Sequence, residues 1–446
     1  MNDSVRAYQL SALRATLRIA SENPFYKRKW KDQIASSARG EGGVELDRLP
    51  ILTKEELKTE LRPMVGEGDK IASIIHTTGS TGPVTYRYRS QGELDRIAEF
   101  GKSVVRNIRA GNSRPLAYML YGPYHGQNLP GPGPIGEGVA PYYFAGAIWD
   151  DIFIRQGVEQ LRREFTLPGL ESRVTQVHGA VRLLRIFTQC LIDMQVPVGE
   201  TKVEAVVSFA GYMPSEVRRF LGRYWNCNPI ETFSFSETFG GATKCPHCNG
   251  LQFMPHLLPQ VVELDADNPA HSGIGRLLIT ELYPFGTTQP LIKYFNGDLV
   301  RIVDEQCPTC GTIGSLVHVG RDNESCFVES PQGRRLALGS MDLREAAYTP
   351  EVKRTVEFPH LKLLKDRESH LGAPVLAAHT KCEGAKTRLT VSFLPNLGLG
   401  ISQSNLADRL RNRLLEVSPE LRATVGEGLV DLDVQPEVGL EKILWK

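Results

Sequence analysis

The chain has 446 residues, 41% hydrophobic and 23% charged, a composition that predicts a soluble globular protein too long for one ordinary core. With 52 lysines and arginines against 51 aspartates and glutamates the net charge is +1, which gives no electrostatic reason to expect nucleic acid or an anionic membrane as partner. Met1-Asn2-Asp3-Ser4 opens no signal peptide, no apolar stretch approaches a membrane span, and eight cysteines do not make a secreted disulfide scaffold, so a cytoplasmic enzyme is expected.

Leu10, Leu13 and Leu17 recur at helical spacing and predict an opening helix over residues 5–20, ended by Asn23-Pro24. Thr53-Lys54-Glu55-Glu56 is a capping-box start for the next. A strand over 71–75 follows, then strands over 115–121, 203–209 and 276–280 alternate with helices over 93–109, 178–193 and 213–224, an α/β pattern. Residues 122–146 interrupt it with a long Gly/Pro/aromatic segment that reads as a pocket wall or a flap. Past about residue 320 the character changes to a strand over 387–394 and an amphipathic helix over 405–417, with Leu406, Leu410 and Leu414 in register. A domain boundary is expected near Arg321.

The most informative run is His76-Thr77-Thr78-Gly79-Ser80-Thr81-Gly82-Pro83-Val84. Its glycines and hydroxyls offer closely spaced backbone N–H and O–H donors, which suit a polyphosphate, although the spacing is not that of a Walker loop. Alone it reads equally well as a flexible turn. Four further segments follow in order: Phe209-Ala210-Gly211-Tyr212 at the close of a strand, Phe233-Ser234-Phe235-Ser236-Glu237, Tyr294-Phe295-Asn296-Gly297-Asp298 and Gly320-Arg321-Asp322. Lys442 lies near the C-terminal end of the sequence. Singly these are turn residues, caps and a solvated lysine.

In that order they resemble the adenylate-forming enzymes, and within them the phenylacetate–CoA ligase-like branch. The likeness runs from the first helix to at least Arg321, with Asn23-Pro24-Phe25-Tyr26 and Leu49-Pro50-Ile51-Leu52-Thr53-Lys54 similar to that branch's N-terminal region. Residues 76–84 resemble the family's phosphate loop, Tyr121-Gly122-Pro123-Tyr124-His125-Gly126 its aromatic-pocket segment, Ser234-Phe235-Ser236-Glu237-Thr238 its Tyr-Gly-x-Ser/Thr-Glu motif, and Tyr294 to Asp298 its Tyr-Arg-Thr-Gly-Asp motif. The resemblance implies an α/β fold with a large, multi-subdomain N-terminal adenylate-forming domain over 1–320 and a small, mobile α+β lid domain over 321–446.

It also implies roles. A carboxylate would attack the α-phosphorus of ATP, giving an acyl-adenylate and pyrophosphate, with CoA as the expected acceptor. Thr77, Thr78, Gly79, Ser80, Thr81 and Gly82 would hold the β- and γ-phosphates. Glu237 would hold Mg²⁺, and Asp298 both ribose hydroxyls. Ala210, Gly211, Tyr212 and Phe233, with Ser234 and Ser236 beside them, would frame the nucleotide. Lys442 would bridge carboxylate and α-phosphate, Arg321-Asp322 would be the hinge, and Tyr121, Tyr124, His125 and Gly126 would face an acid guessed to be aromatic. A homodimer is expected by family analogy only.

The chain departs from the pattern at three places. Gly82 meets Pro83 where a lysine commonly follows, Phe295 stands for the Arg, and Leu338-Gly339-Ser340-Met341-Asp342-Leu343-Arg344-Glu345 replaces the Gly-x-Asn-x-x-Pro segment. Lys446 also rivals Lys442 as the mobile lysine. These departures leave room for transfer to a carrier-protein thiol or an amine instead of CoA, or for a binding protein that keeps the fold without the chemistry.

Cys245-Pro246-His247-Cys248 and Cys307-Pro308-Thr309-Cys310 are matching knuckles expected to make together a closed four-thiolate Zn²⁺ site, which would be structural because no position stays open. They define a zinc-knuckle segment over 240–315. A redox Cys-x-x-Cys pair is the rival reading.

Overall fold

The computed structural model describes residues 3–30, 46–60, 64–65, 71–76, 85–108, 114–120, 142–148, 150–166, 169–355, 372–383 and 386–440. Its centre is a seven-stranded sheet. Strands Tyr142–Gly146, Arg114–Leu120, Leu170–Ala180, Ala205–Ala210 and Ile230–Ser234 run parallel in that spatial order. Gly241–Lys244 and Leu251–Phe253 extend it antiparallel. Helices Asp151–Arg162, Val181–Asp193 and Ser215–Trp225 bury their apolar faces with this sheet in one core, where Leu161, Leu184, Phe187, Leu191, Val206 and Leu221 are all sealed from water. Parallel strands need such crossover helices, so the sheet and its cover form together.

Two elements differ from the sequence expectation. The helix expected over 178–193 begins only at Val181, because Leu170–Ala180 continues as a strand in register with Ala205–Ala210. The apolar helical period starts at Val181, and before it Val174, Thr175 and Val177 favour the extended chain. Tyr142–Gly146, expected within an irregular segment, is the edge strand beside Arg114–Leu120, as its Tyr-Tyr-Phe run favours.

A second sheet combines Gly273–Glu281, Tyr294–Val303, Leu257–Val262 and Ser315–Arg321, with the short Leu52–Thr53 strand at one edge. Thr53 then caps helix Lys54–Thr59 in a full capping box with Glu56, as the sequence predicts. The opening helices Asp3–Glu22 and Pro24–Trp30 pack on this sheet's connections, where the Tyr26 hydroxyl donates to Pro290 O at 2.7 Å.

A separate apolar cluster gathers residues between Cys326 and Leu432. It is formed by the sheet Leu376–Glu383, Lys386–Phe393, Val430–Pro436 and helices Ser340–Ala347, Gln403–Val417 and Pro419–Gly426. No helix among the described residues is long and apolar enough to cross a membrane.

Candidate active site

The strand Tyr294–Val303 links the predicted site residues. At its start the Tyr294 hydroxyl donates to Glu237 Oε1 at 2.9 Å, in the turn after Ile230–Ser234. Glu237 is only 3% exposed, and among the described residues no bond reaches its Oε2. Burial, and then the Glu237 charge, push the Tyr294 hydroxyl far above its ordinary range, so it stays a donor. A buried carboxylate with one oxygen in reserve suits a hard divalent cation.

Further along the same strand Asp298 is buried and accepts from His318 Nε2 at 3.0 Å, with Arg321 Nε at 3.6 Å from the same oxygen. Its own N–H donates to Asn296 Oδ1 at 3.1 Å. Burial raises the carboxyl, but the His318 hydrogen bond and the charges of His318 and Arg321 outweigh it and hold Asp298 below the usual carboxylate range. The His318 ring lies 5.0 Å from Phe233, which makes edge contacts with Phe235 and Phe253. Phe233, Glu237, Asp298 and Arg321 are thus brought into one cluster, joined by Tyr294 and His318.

The strand Ala205–Ala210 closes on Gly211, whose φ of +83° is a backbone state that glycine adopts freely. Lys244 Nζ then stands 5.3 Å from the Tyr212 ring centroid. The Tyr212 hydroxyl donates to Glu345 Oε2 at 2.9 Å, and burial followed by that carboxylate pushes it well up. The segment that departs from the family pattern, 338–345, is therefore the one that reaches Tyr212. Ser234 is exposed and Ser236 half-buried in the Glu237 turn. Phe295, standing where an arginine is usual, lies beneath the Arg276 guanidinium at 5.8 Å.

Thr77, Thr78, Gly79, Ser80, Thr81, Gly82, Tyr121, Tyr124, His125, Gly126, Lys442 and Lys446 lie outside the described residues. The strands flanking 77–84 are described: Ile71–His76 pairs antiparallel with Tyr86–Ser90, His76 opposite Tyr86. The second strand is pinned from below. Arg87 and Arg89, both at most 2% exposed, meet Glu281 at 2.5 and 3.0 Å. Glu281 also accepts the Phe239 N–H at 2.6 Å, two residues past Glu237. Burial would raise the Glu281 carboxyl, and the two guanidinium groups outweigh it, so it is held low.

The four knuckle cysteines converge, with every Sγ within 4.8 Å of the others and the Cys245–Cys307 and Cys248–Cys310 pairs at 3.8 and 3.9 Å. These separations are far beyond a disulfide and close to the roughly 3.8 Å edge of a tetrahedron of thiolates about one zinc ion. Hydrogen bonds from Thr312 draw the Cys310 thiol down to about 6, whereas burial lifts Cys248 to about 11.

Sequence reasoning missed His318 and the Arg87–Arg89–Glu281 triad. The triad had a signal: two arginines at i and i+2 of a strand share one face. His318 had none, since only a register irregularity turns it toward Asp298.

No family model matches the sequence, and none of the curated proteins does. Solved structures do. A 2-hydroxyisobutyryl-CoA ligase, solved in an open conformation with 2-HIB-AMP and CoA, superposes at a TM-score of 0.66 over 97% of this chain and 88% of its own, at 14% identity. The fold is that of the adenylate-forming enzymes. The acyl acid amido synthetase AtGH3.15 in complex with 2,4-DB gives 0.55 over 98% of this chain and 87% of its own, at 11% identity. An ATP-bound RpMatB-BxBclM chimera gives 0.51 over 85% and 68%, at 12% identity.

Proposed function

We propose that this chain uses ATP to activate a carboxylic acid as an acyl-adenylate and then passes the acyl group to CoA as a thioester. The observation that carries this reading is the cluster of Glu237 and Asp298. Both carboxylates are buried, Asp298 lies on the strand Tyr294–Val303 and Glu237 leans on its first residue, and neither the Tyr294 hydroxyl on Glu237 nor His318 on Asp298 takes both oxygens of its carboxylate. The fold shared with a CoA ligase solved with 2-HIB-AMP and with a chimera solved with ATP supports reading them as the metal-binding and the ribose-binding carboxylate of a nucleotide site.

The acid oxygen attacks the α-phosphorus, the bond to the bridging oxygen breaks, and pyrophosphate leaves with its electron pair. The reactants are all anionic, so positioning and positive charge dominate the barrier. Glu237 would hold Mg²⁺, which offsets phosphate charge when bound. Asp298 would take the ribose hydroxyls, Phe233 and the Ala210-Gly211-Tyr212 turn the adenine, residues 77–82 the β- and γ-phosphates, and Lys442 the oxygens at the reacting centre. Tyr121, Tyr124, His125 and Gly126 would meet the acid, proposed to be aromatic. The Cys245, Cys248, Cys307, Cys310 centre would hold a structural Zn²⁺. It would tie the segment after Glu237 to the hairpin after Asp298. The boundary near Arg321, with residues 321–446 as a moving lid, is supported by the separate apolar cluster of that region. A cytoplasmic site of action accords with such chemistry.

An amine or carrier thiol as acceptor is the second reading. It is favoured by the likeness to an amido synthetase and by the altered 338–345 segment on Tyr212. Product masses separate the two. With ATP and an activated acid, a CoA thioester formed only when CoA is present supports the ligase. Acyl-AMP that accumulates unchanged with CoA, yet discharges to an amine or carrier, supports the second reading.

A further inference from the structure

We infer that His318 is a ribose-positioning residue: it fixes one oxygen of Asp298 so that the other is presented to the nucleotide's hydroxyls. This rests on the adenylating reading above and names a residue that the sequence motifs leave out. The argument begins with strand geometry. His318 and Arg321 are three apart on the strand Ser315–Arg321, and residues three apart on a regular strand point to opposite faces. Here both reach Asp298 Oδ1, at 3.0 and 3.6 Å.

A bulge makes that happen. Asp298 pairs with Arg321 and Leu299 with Gly320, but Val300 pairs with His318, so Val319 has no partner of its own. The extra residue turns His318 onto the Asp298 face, while Val319 stays in the apolar cluster with Leu299 and Leu336. Gly320 permits the irregularity. Its φ is +143°, and a Cβ there would lie 2.4 Å from Ser340 Oγ and 2.7 Å from Ser340 N.

The consequence is chemical. Asp298 is held as an anion in a site that water scarcely reaches, with Oδ1 committed to His318 and, more distantly, to Arg321. The Asn296 side chain adds a weaker hydrogen bond to the carboxylate, and Oδ2, which neither His318 nor Arg321 is seen to contact, is the oxygen left to accept from a vicinal diol. Without His318 the carboxylate could rotate or share Oδ1 with the ribose, and the grip on both hydroxyls would loosen. The contact of Phe233 with the His318 ring keeps the imidazole from swinging away.

The test compares ATP with 2′,3′-dideoxy-ATP on the wild-type chain, His318→Ala and His318→Gln, reading each dissociation constant by titration calorimetry with Mg²⁺ present. Losing a hydrogen bond to a charged acceptor corresponds to roughly a ten-fold or larger loss of affinity. The expected result is that loss for ATP in His318→Ala, a change below about two-fold for dideoxy-ATP, and recovery of most ATP affinity in His318→Gln, whose amide still donates. Equal losses for the two nucleotides, or none for either, with wild type binding ATP, would overturn the inference and leave the adenylating reading standing. Failure of the wild-type chain to bind ATP at all would overturn both.

Discussion

Arg87 and Arg89 are sealed from water against one shared carboxylate, Glu281, and their burial makes a sharp test at the level of one residue. Glu281→Gln would leave two buried guanidinium groups short of their main counter-charge. Breaking a buried ion pair in this way costs about 3–5 kcal/mol, measurable as a lower urea midpoint at pH 7. The sign with pH follows from the depressed Glu281 carboxyl. Its contribution is fully present above the unfolded value of about 4.3 and is lost as pH falls through the lower folded value. The wild-type advantage over Glu281→Gln should therefore be largest near neutrality and shrink below about pH 4. A constant difference across that range would show that the guanidinium charges are not what Glu281 compensates. The candidate residues that the sequence itself singled out are those whose types stand in short motifs: Glu237, Asp298 and the four cysteines. His318 and Glu281 are not among them, because they act through partners far away in the chain.

At the scale of elements, the two Cys-x-x-Cys knuckles join the segment after Glu237 to the hairpin that carries Asp298 and His318. Gly250 bridges to Val317, one residue from His318, so the knuckle lies directly against the strand that carries His318. One zinc per chain is expected by elemental mass spectrometry. Cys248→Ser should lower the thermal midpoint by about 5 °C or more and weaken ATP binding with it. Reduced midpoint with unchanged ATP affinity would confine the centre to stability. Absence of metal from protein purified without chelator would point instead to redox-active thiols. The alternation of strands and helices was readable because apolar period and capping residues are local signals, as at Thr53. Element ends were less so. The helix expected from residue 178 starts at Val181 because Leu170–Ala180 stays paired with a neighbouring strand, which no local window contains. The bulge at Val319-Gly320 escaped for the same reason.

On the whole-molecule scale, side chains from the C-terminal cluster grip the rest of the chain at several points. Glu420 takes Arg301 in a two-pronged pair at 2.7 and 2.5 Å, Glu345 takes Tyr212, and Arg354 meets Glu216 at 2.5 Å. Such polar, partly exposed contacts suit a surface that separates and re-forms better than an apolar seam does. If residues 321–446 move as a lid, the lysine they bring to the reacting centre is the part that matters for the first half-reaction. Lys442→Ala should reduce acyl-AMP formation by about a hundred-fold or more, and Lys446→Ala by less than about two-fold. The reverse pattern would assign the role to Lys446, and full activity in both would remove the lid from the first step.

The most direct measurement is carboxylate-dependent exchange of labelled pyrophosphate into ATP across benzoic, phenylacetic, cinnamic and fatty acids. Exchange that requires an acid and is strongest with an aromatic one is the expected result, since only reversible formation of an acyl-adenylate returns pyrophosphate to ATP. Zinc-replete, folded protein that binds ATP yet gives no exchange with any acid would contradict the adenylating account and leave a binding protein on an enzyme's fold.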